Sequence, residues 1–172
     1  MNTIHVASSD GVDVPVYVYA PGSTHGSVLF SHATGFHGRC FNSTAALLAD
    51  SAHSYSFDYR GYGDATLPHD WKVSWDGYGD DAQTVAQHVA NQSGPSIAFG
   101  HSMGGAALVM AALRQPELFR ALVLFEPIIF RRLLANPATL VRQARFPKVR
   151  ADDDQRLHPS TKRLPITHQS HR

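Results

Sequence analysis

The stretch AFGHSMGGAAL, residues 98–108, restricts the fold more than any other part of the chain. Gly100-His101-Ser102-Met103-Gly104 fits G-x-S-x-G, a pattern that sets a serine on a sharp turn between a buried strand and a helix. The context agrees with that placement. SIAFG (96–100) is an apolar run of strand length, and residues 103–114 are apolar nearly all round, as in a helix enclosed by its fold. Gly100, Gly104 and Gly105, followed by Ala106 and Ala107, supply the small residues that a strained, closely packed turn requires. A serine hydroxyl is inert at neutral pH without a base and a group to orient that base, so a working site needs both from elsewhere in the fold.

Two runs, TIHVAS and VDVPVYVYA, flank Ser9-Asp10-Gly11 and predict an amino-terminal hairpin, with Pro15 suggesting an edge strand. SVLFSH (27–32) suits a strand buried on both faces, FNSTAALLADSA a helix capped by Asn42 or Ser43, and HSYSFDYRG the next strand. Tyr78, Ala82, Val85, Ala86 and Val89 recur at helical spacing between Trp75 and about Gln92. Asp80 and Asp81 are read as lying near the start of that helix, where its dipole favours them. ALVLFEP (121–127) is the last convincing strand. Strand–helix repeats with short connections predict an α/β fold, a doubly wound and mostly parallel sheet with helices on both faces. Chemistry in such sheets gathers at the carboxyl ends of the strands, where His32, Asp58, Ser102 and Glu126 all fall.

Composition narrows the function classes. With 43% hydrophobic residues, 17% charged residues and a net charge of +1, the chain has the balance of a globular protein and no basic footprint for nucleic acid. No run approaches a membrane span and no signal peptide is visible at the start, so a cytoplasmic location is expected. The single Cys40 cannot form an internal disulfide and reads as a small buried side chain. The eleven histidines follow neither H-E-x-x-H nor any C-x-x-C partnership, so neither a metal nor a cofactor is expected.

HATGFHG (32–38) follows the first buried strand. Acyl transfer needs two backbone N–H donors aimed at the developing oxyanion. Met103 N–H, just after the serine, would be one, and Thr34 N–H in this loop the other, with Gly35 letting the backbone turn. His32 is read as a hydrogen-bonded packing residue rather than a catalytic one.

Together SHATGFHGR, FDYRGYGDAT, GHSMGGAAL and LVLFEPIIF, in that order, resemble the α/β-hydrolase superfamily over residues 1 to about 130. The resemblance implies a serine hydrolase of the esterase and lipase kind, acting through Ser102 on a small ester-like acyl substrate. Asp58 and Arg60 fall in the family's D-x-R-G-x-G turn and are structural there. The triad order is Ser, then Asp or Glu, then His. The usual acid would follow a further strand that this chain lacks; a minority of the superfamily uses a Glu directly after the strand ending here, a position filled by Glu126, whose other reading is a polar strand-end residue. His101 adjoins the nucleophile in sequence but points elsewhere, which leaves His158 as the candidate base, with no strand before it.

The division expected is a hydrolase core over 1–127, partial cap or lid helices over 128–146, and a disordered polar tail over 147–172. On this reading the fold is cut short at its carboxyl end. The edge of residues 121–127 is left open to aggregation or to self-association with another chain. The competing class is a non-catalytic hydrolase-like module that binds a ligand or partner.

Overall fold

The computed structural model describes residues 1–19 and 26–128. The expected hairpin forms: β1 (Asn2–Ala7) pairs antiparallel with β2 (Asp13–Val18), with Val6 opposite Val14. Its turn uses left-handed backbone at Asp10 (φ 59°) and Gly11 (φ 70°). Next come β3 (Ser27–Ser31), α1 (Asn42–Leu47), β4 (His53–Phe57), α2 (Trp75–Ser93), β5 (Ser96–His101), α3 (Met103–Arg114) and β6 (Phe119–Phe125). The sheet order is β1-β2-β4-β3-β5-β6, antiparallel in its first two pairings and parallel in the remaining three.

Pro15 does not mark an edge, because β2 lies between β1 and β4. The proline is tolerated because β4 pairs only with Val16–Val18. A strand residue's N and O point to the same side, so the missing donor of Pro15 falls just past the end of β4. There its carbonyl still accepts the Asp58 N–H at 3.2 Å.

Helices lie on both faces. Leu29, Phe57 and Ala98 are fully buried against Val85, Val89 and Leu108 from α2 and α3. Phe30, one residue from Leu29 and so on the opposite face, stacks at 4.9 Å on Phe41 in the 3₁₀ turn that leads into α1. That turn runs straight into α1, so neither Asn42 nor Ser43 caps it; Phe41 holds the cap position without a side-chain bond.

Asp80 and Asp81 also serve a purpose other than the one expected. The first turn of α2 begins at Trp75 and is capped by Ser74. Asp81 sits in the second turn with no solvent exposure, and its oxygens accept from Arg60 Nε at 3.0 Å and Nη2 at 2.8 Å. Arg60 is equally buried and reaches Asp10 at 2.9 Å, tying the hairpin turn to α2. Asp80 accepts from Ser9 at 2.7 Å and Arg114 at 2.6 Å.

Among the described residues β6 pairs only with β5 and forms an edge, with Val123 and Phe125 50% and 54% exposed. The expected cap helices from residue 129 onward, the tail over 147–172 and His158 lie outside the described residues.

Candidate active site

Ser102 sits between the end of β5 and the start of α3 with φ 50° and ψ −114°, a left-handed conformation that side chains rarely adopt. Three backbone bonds hold it there. Ser102 N–H donates to Phe125 O at 3.0 Å, and its carbonyl accepts from Ala106 N–H at 3.1 Å and Ile128 N–H at 3.2 Å. The serine backbone is thus fastened to both α3 and the end of β6. Its side chain is partly exposed, and its hydroxyl makes no hydrogen bond among the described residues.

The small residues around the turn are required by contact. A Cβ on Gly104 would lie 2.5 Å from His32 O and Ser31 Oγ, and one on Gly100 would lie 2.7 Å from Gly105 Cα. A Cβ on Gly105 would meet Pro127 at 2.9 Å. The first turn of α3 is therefore pressed flush against the ends of β3, β5 and β6. Met103, Gly104 and Gly105 open α3, where N–H groups have no intrahelical acceptor, and a helix dipole adds positive character there.

The loop after β3 approaches the same place through the Ser31–His32 contact with Gly104. Phe36 N–H donates to Ala33 O at 3.1 Å, closing a turn whose central residues are Thr34 and Gly35. Gly35 has φ 80°, the value the third position of a type II turn demands. Thr34, Gly35 and Phe36 are exposed, whereas His32 is fully buried. Both ring nitrogens of His32 are engaged. Nε2 accepts Tyr59 N–H at 3.2 Å, so Nδ1 carries the proton and donates to Ala33 O at 2.8 Å. Burial lowers its pKa. The packing role expected of His32 is the one it has.

Glu126 follows β6 with φ 45°, and its side chain is exposed without a hydrogen bond among the described residues. It stands next to Phe125, whose carbonyl holds Ser102. The His101 ring lies 5.2 Å from the Phe125 ring. No histidine among the described residues is bonded to Ser102. No group of three or more His, Cys, Asp or Glu among them could hold a metal ion.

The sequence matches the family described as serine aminopeptidase, S33, over residues 22–166 of its 172. The chain belongs to that family of α/β hydrolases. It is 27% identical over 144 residues to the human monoglyceride lipase, covering 77% of this chain and 44% of that protein. It is 29% identical over 108 residues to a monoglyceride lipase homolog of monkeypox virus, covering 59% and 38%. Among solved structures, a putative lipase from Acinetobacter baumannii superposes with TM-score 0.64 at 23% identity, covering 76% of this chain and 43% of that one. An alpha/beta hydrolase from Sphaerobacter thermophilus does so with TM-score 0.62 at 22% identity, covering 72% and 45%. The chain thus spans less than half the length of each of these four proteins.

Within this S33 chain the D-x-R-G-x-G turn holds more than sequence alone reveals. Asp58 is completely buried and accepts three hydrogen bonds: Tyr17 OH at 2.6 Å, Gly38 N–H at 2.6 Å and Asp64 N–H at 2.8 Å. A side chain on Gly63 would collide with this carboxylate. The signal was the motif itself, since a carboxylate just past a buried strand needs several donors to stay there. Which donors it finds, 6 to 41 residues away, is set by tertiary structure.

Proposed function

We propose that this chain acts as a serine hydrolase on an ester, with Ser102 as the nucleophile. Ser102 Oγ attacks the ester carbonyl while a base takes its proton. The oxyanion so formed is held by Met103 N–H and Thr34 N–H; the alcohol then leaves with the proton, and water hydrolyses the acyl-serine. Glu126 is the proposed acid. The base comes from outside the described residues, where His158 is the sequence's candidate. The single observation that carries the reading is Ser102 at φ 50° on the strand-to-helix turn, above a helix start that β3 packs against through Gly104.

The substrate class we infer is a carboxylic ester of the monoglyceride kind, supported by the names of the relatives at 27–29% identity. Phe36, 53% exposed on the loop that carries Thr34, offers apolar surface for an acyl chain. A cytoplasmic setting is proposed on the single free thiol of Cys40, which is exposed rather than buried as expected. A second copy is also proposed to pair along the open edge at residues 121–127. Sedimentation of wild type against Val123→Lys tests it, and the variant is expected to be the more monomeric.

A second reading, a ligand- or partner-binding module without turnover, is favoured by one observation: no histidine among the described residues bonds to Ser102. Turnover separates the two. Release of fatty acid from a monoglyceride and of nitrophenol from p-nitrophenyl butyrate, lost in Ser102→Ala and absent with an aminoacyl p-nitroanilide, supports the ester hydrolase. Cleavage of the anilide alone replaces it with a peptidase, and no turnover of any of the three favours the binding module.

A further inference from the structure

The loop that carries Thr34 is tied at both ends to two consecutive residues at the end of β4. At its start, Tyr59 N–H donates to His32 Nε2 at 3.2 Å. At its finish, Gly38 N–H donates to Asp58 Oδ1 at 2.6 Å. The finish also lies flush against the strand, because a Cβ on Gly38 would sit 2.7 Å from Phe57 O. All of these groups are buried, so neither bond is weakened by competing water. Between the two ties, residues 34–37 are exposed and are held by the Ala33–Phe36 turn bond.

We infer that Asp58 and His32 are positioning residues that hold this loop from both ends, so that Thr34 N–H stays where the oxyanion at Ser102 will form. The inference rests on the reading of Ser102 as a nucleophile. Neither residue touches the substrate. The Oδ2 atom of Asp58 is kept in place independently, by Tyr17 OH and Asp64 N–H, which orients Oδ1 towards Gly38. An asparagine at 58 has the same shape but only one acceptor oxygen. Facing that oxygen to the two donors at Oδ2 turns the amide NH₂ against Gly38 N–H, and the tie is broken. His32 is fixed in the tautomer needed for its own tie by the bond from Nδ1 to Ala33 O. An exposed loop that loses one end drifts, and a donor misplaced by about 1 Å costs on the order of 100-fold in rate.

The test compares wild type, Asp58→Asn and Tyr17→Phe in acylation of Ser102 by an alkyl fluorophosphonate, with kinact and KI measured separately. Hydrogen exchange of the 33–38 peptides is followed by mass spectrometry in parallel. We expect Asp58→Asn to lower kinact by about 10- to 100-fold with KI within about 3-fold, and to speed exchange at 34–38. Tyr17→Phe removes one of the two bonds at Oδ2 but leaves the Asp64 bond and the Gly38 tie, so its kinact falls far less than that of Asp58→Asn. Equal slowing in both variants, or wild-type kinact in a folded Asp58→Asn, overturns the inference. If Asp58→Asn does not fold, His32→Gln, which keeps an acceptor for Tyr59 N–H, is set against His32→Phe, which does not; equal kinact in those two overturns it. If wild-type Ser102 is not acylated at all, the nucleophile reading fails. The exchange data then still decide the holding role, and unchanged exchange in Asp58→Asn refutes it.

Discussion

Replacing Gly104 by alanine tests how tightly the serine turn is built. The added Cβ would stand 2.5 Å from both His32 O and Ser31 Oγ and 2.6 Å from Ser31 O, whereas ordinary contact begins at 3.4 Å. The first turn of α3 must therefore move away from the end of β3 by about 0.9 Å (3.4 − 2.5). Two of the three atoms are backbone, so no rotamer change removes the clash. Ser102 and Met103 move with the helix, because Ala106 N–H binds the Ser102 carbonyl. Overpacking of this kind costs about 1–3 kcal/mol of stability. A displacement near 1 Å between nucleophile and oxyanion donors costs roughly 100-fold in rate. Urea unfolding reads the first effect and the rate of fluorophosphonate labelling the second. Gly94→Ala is the control: Gly94 has φ 73° at the end of α2, with nothing within 4 Å of an added Cβ. With ψ −179° its backbone lies in a region essentially reserved to glycine, so alanine there is strained by about 1–3 kcal/mol but leaves labelling unchanged. A Gly104→Ala protein with wild-type stability and labelling rate refutes the packing argument.

Three further outcomes follow from buried polar groups. Asp81→Ala leaves the Arg60 guanidinium buried without its bidentate partner and is expected to cost about 3–5 kcal/mol in urea unfolding; a loss under about 1 kcal/mol contradicts the burial of this pair. Tyr59→Phe strips Ser31 Oγ of its 2.6 Å partner inside the protein and should cost about 1–3 kcal/mol by the same measurement. His32 is buried with its pKa lowered from 6.5, so the unfolded chain takes up its proton first as pH falls. Its contribution to stability is full above about pH 6.5 and declines below that, by at most about 1.4 kcal/mol per pH unit, until the folded-state value is reached. Urea unfolding at pH 7.5 and 5.5 should show a smaller difference in His32→Gln than in wild type.

Much of this fold could be read along the chain because its signals are local. The glycine–serine–glycine pattern, the apolar runs at 27–32, 96–100 and 121–127 and the helical spacing from Tyr78 to Val89 each lie within one element. The parallel core of the sheet follows from their alternation. The readings that failed depended on pairings the chain makes at long range. Pro15 suggests an edge, yet β2 lies between β1 and β4, and the proline is tolerated there because the pairing with β4 stops one residue short of it. Asp81 suggested a helix-start charge, yet it serves Arg60, 21 residues away. The motif marks Asp58 as structural but not as the partner of Gly38, since nothing in sequence joins a strand end to a loop 20 residues earlier. For the site, the serine turn and the Gly35 turn were legible because each needs particular residues at particular backbone angles. A triad base carries no such local mark, because any histidine on any loop can serve once the fold brings it near.

The central claim is that Ser102 is an activated nucleophile, and intact mass after exposure to a fluorophosphonate tests it most directly. One adduct per folded chain, absent from Ser102→Ala, is the predicted result. A folded chain that stays unmodified, or an adduct that persists in Ser102→Ala, contradicts it.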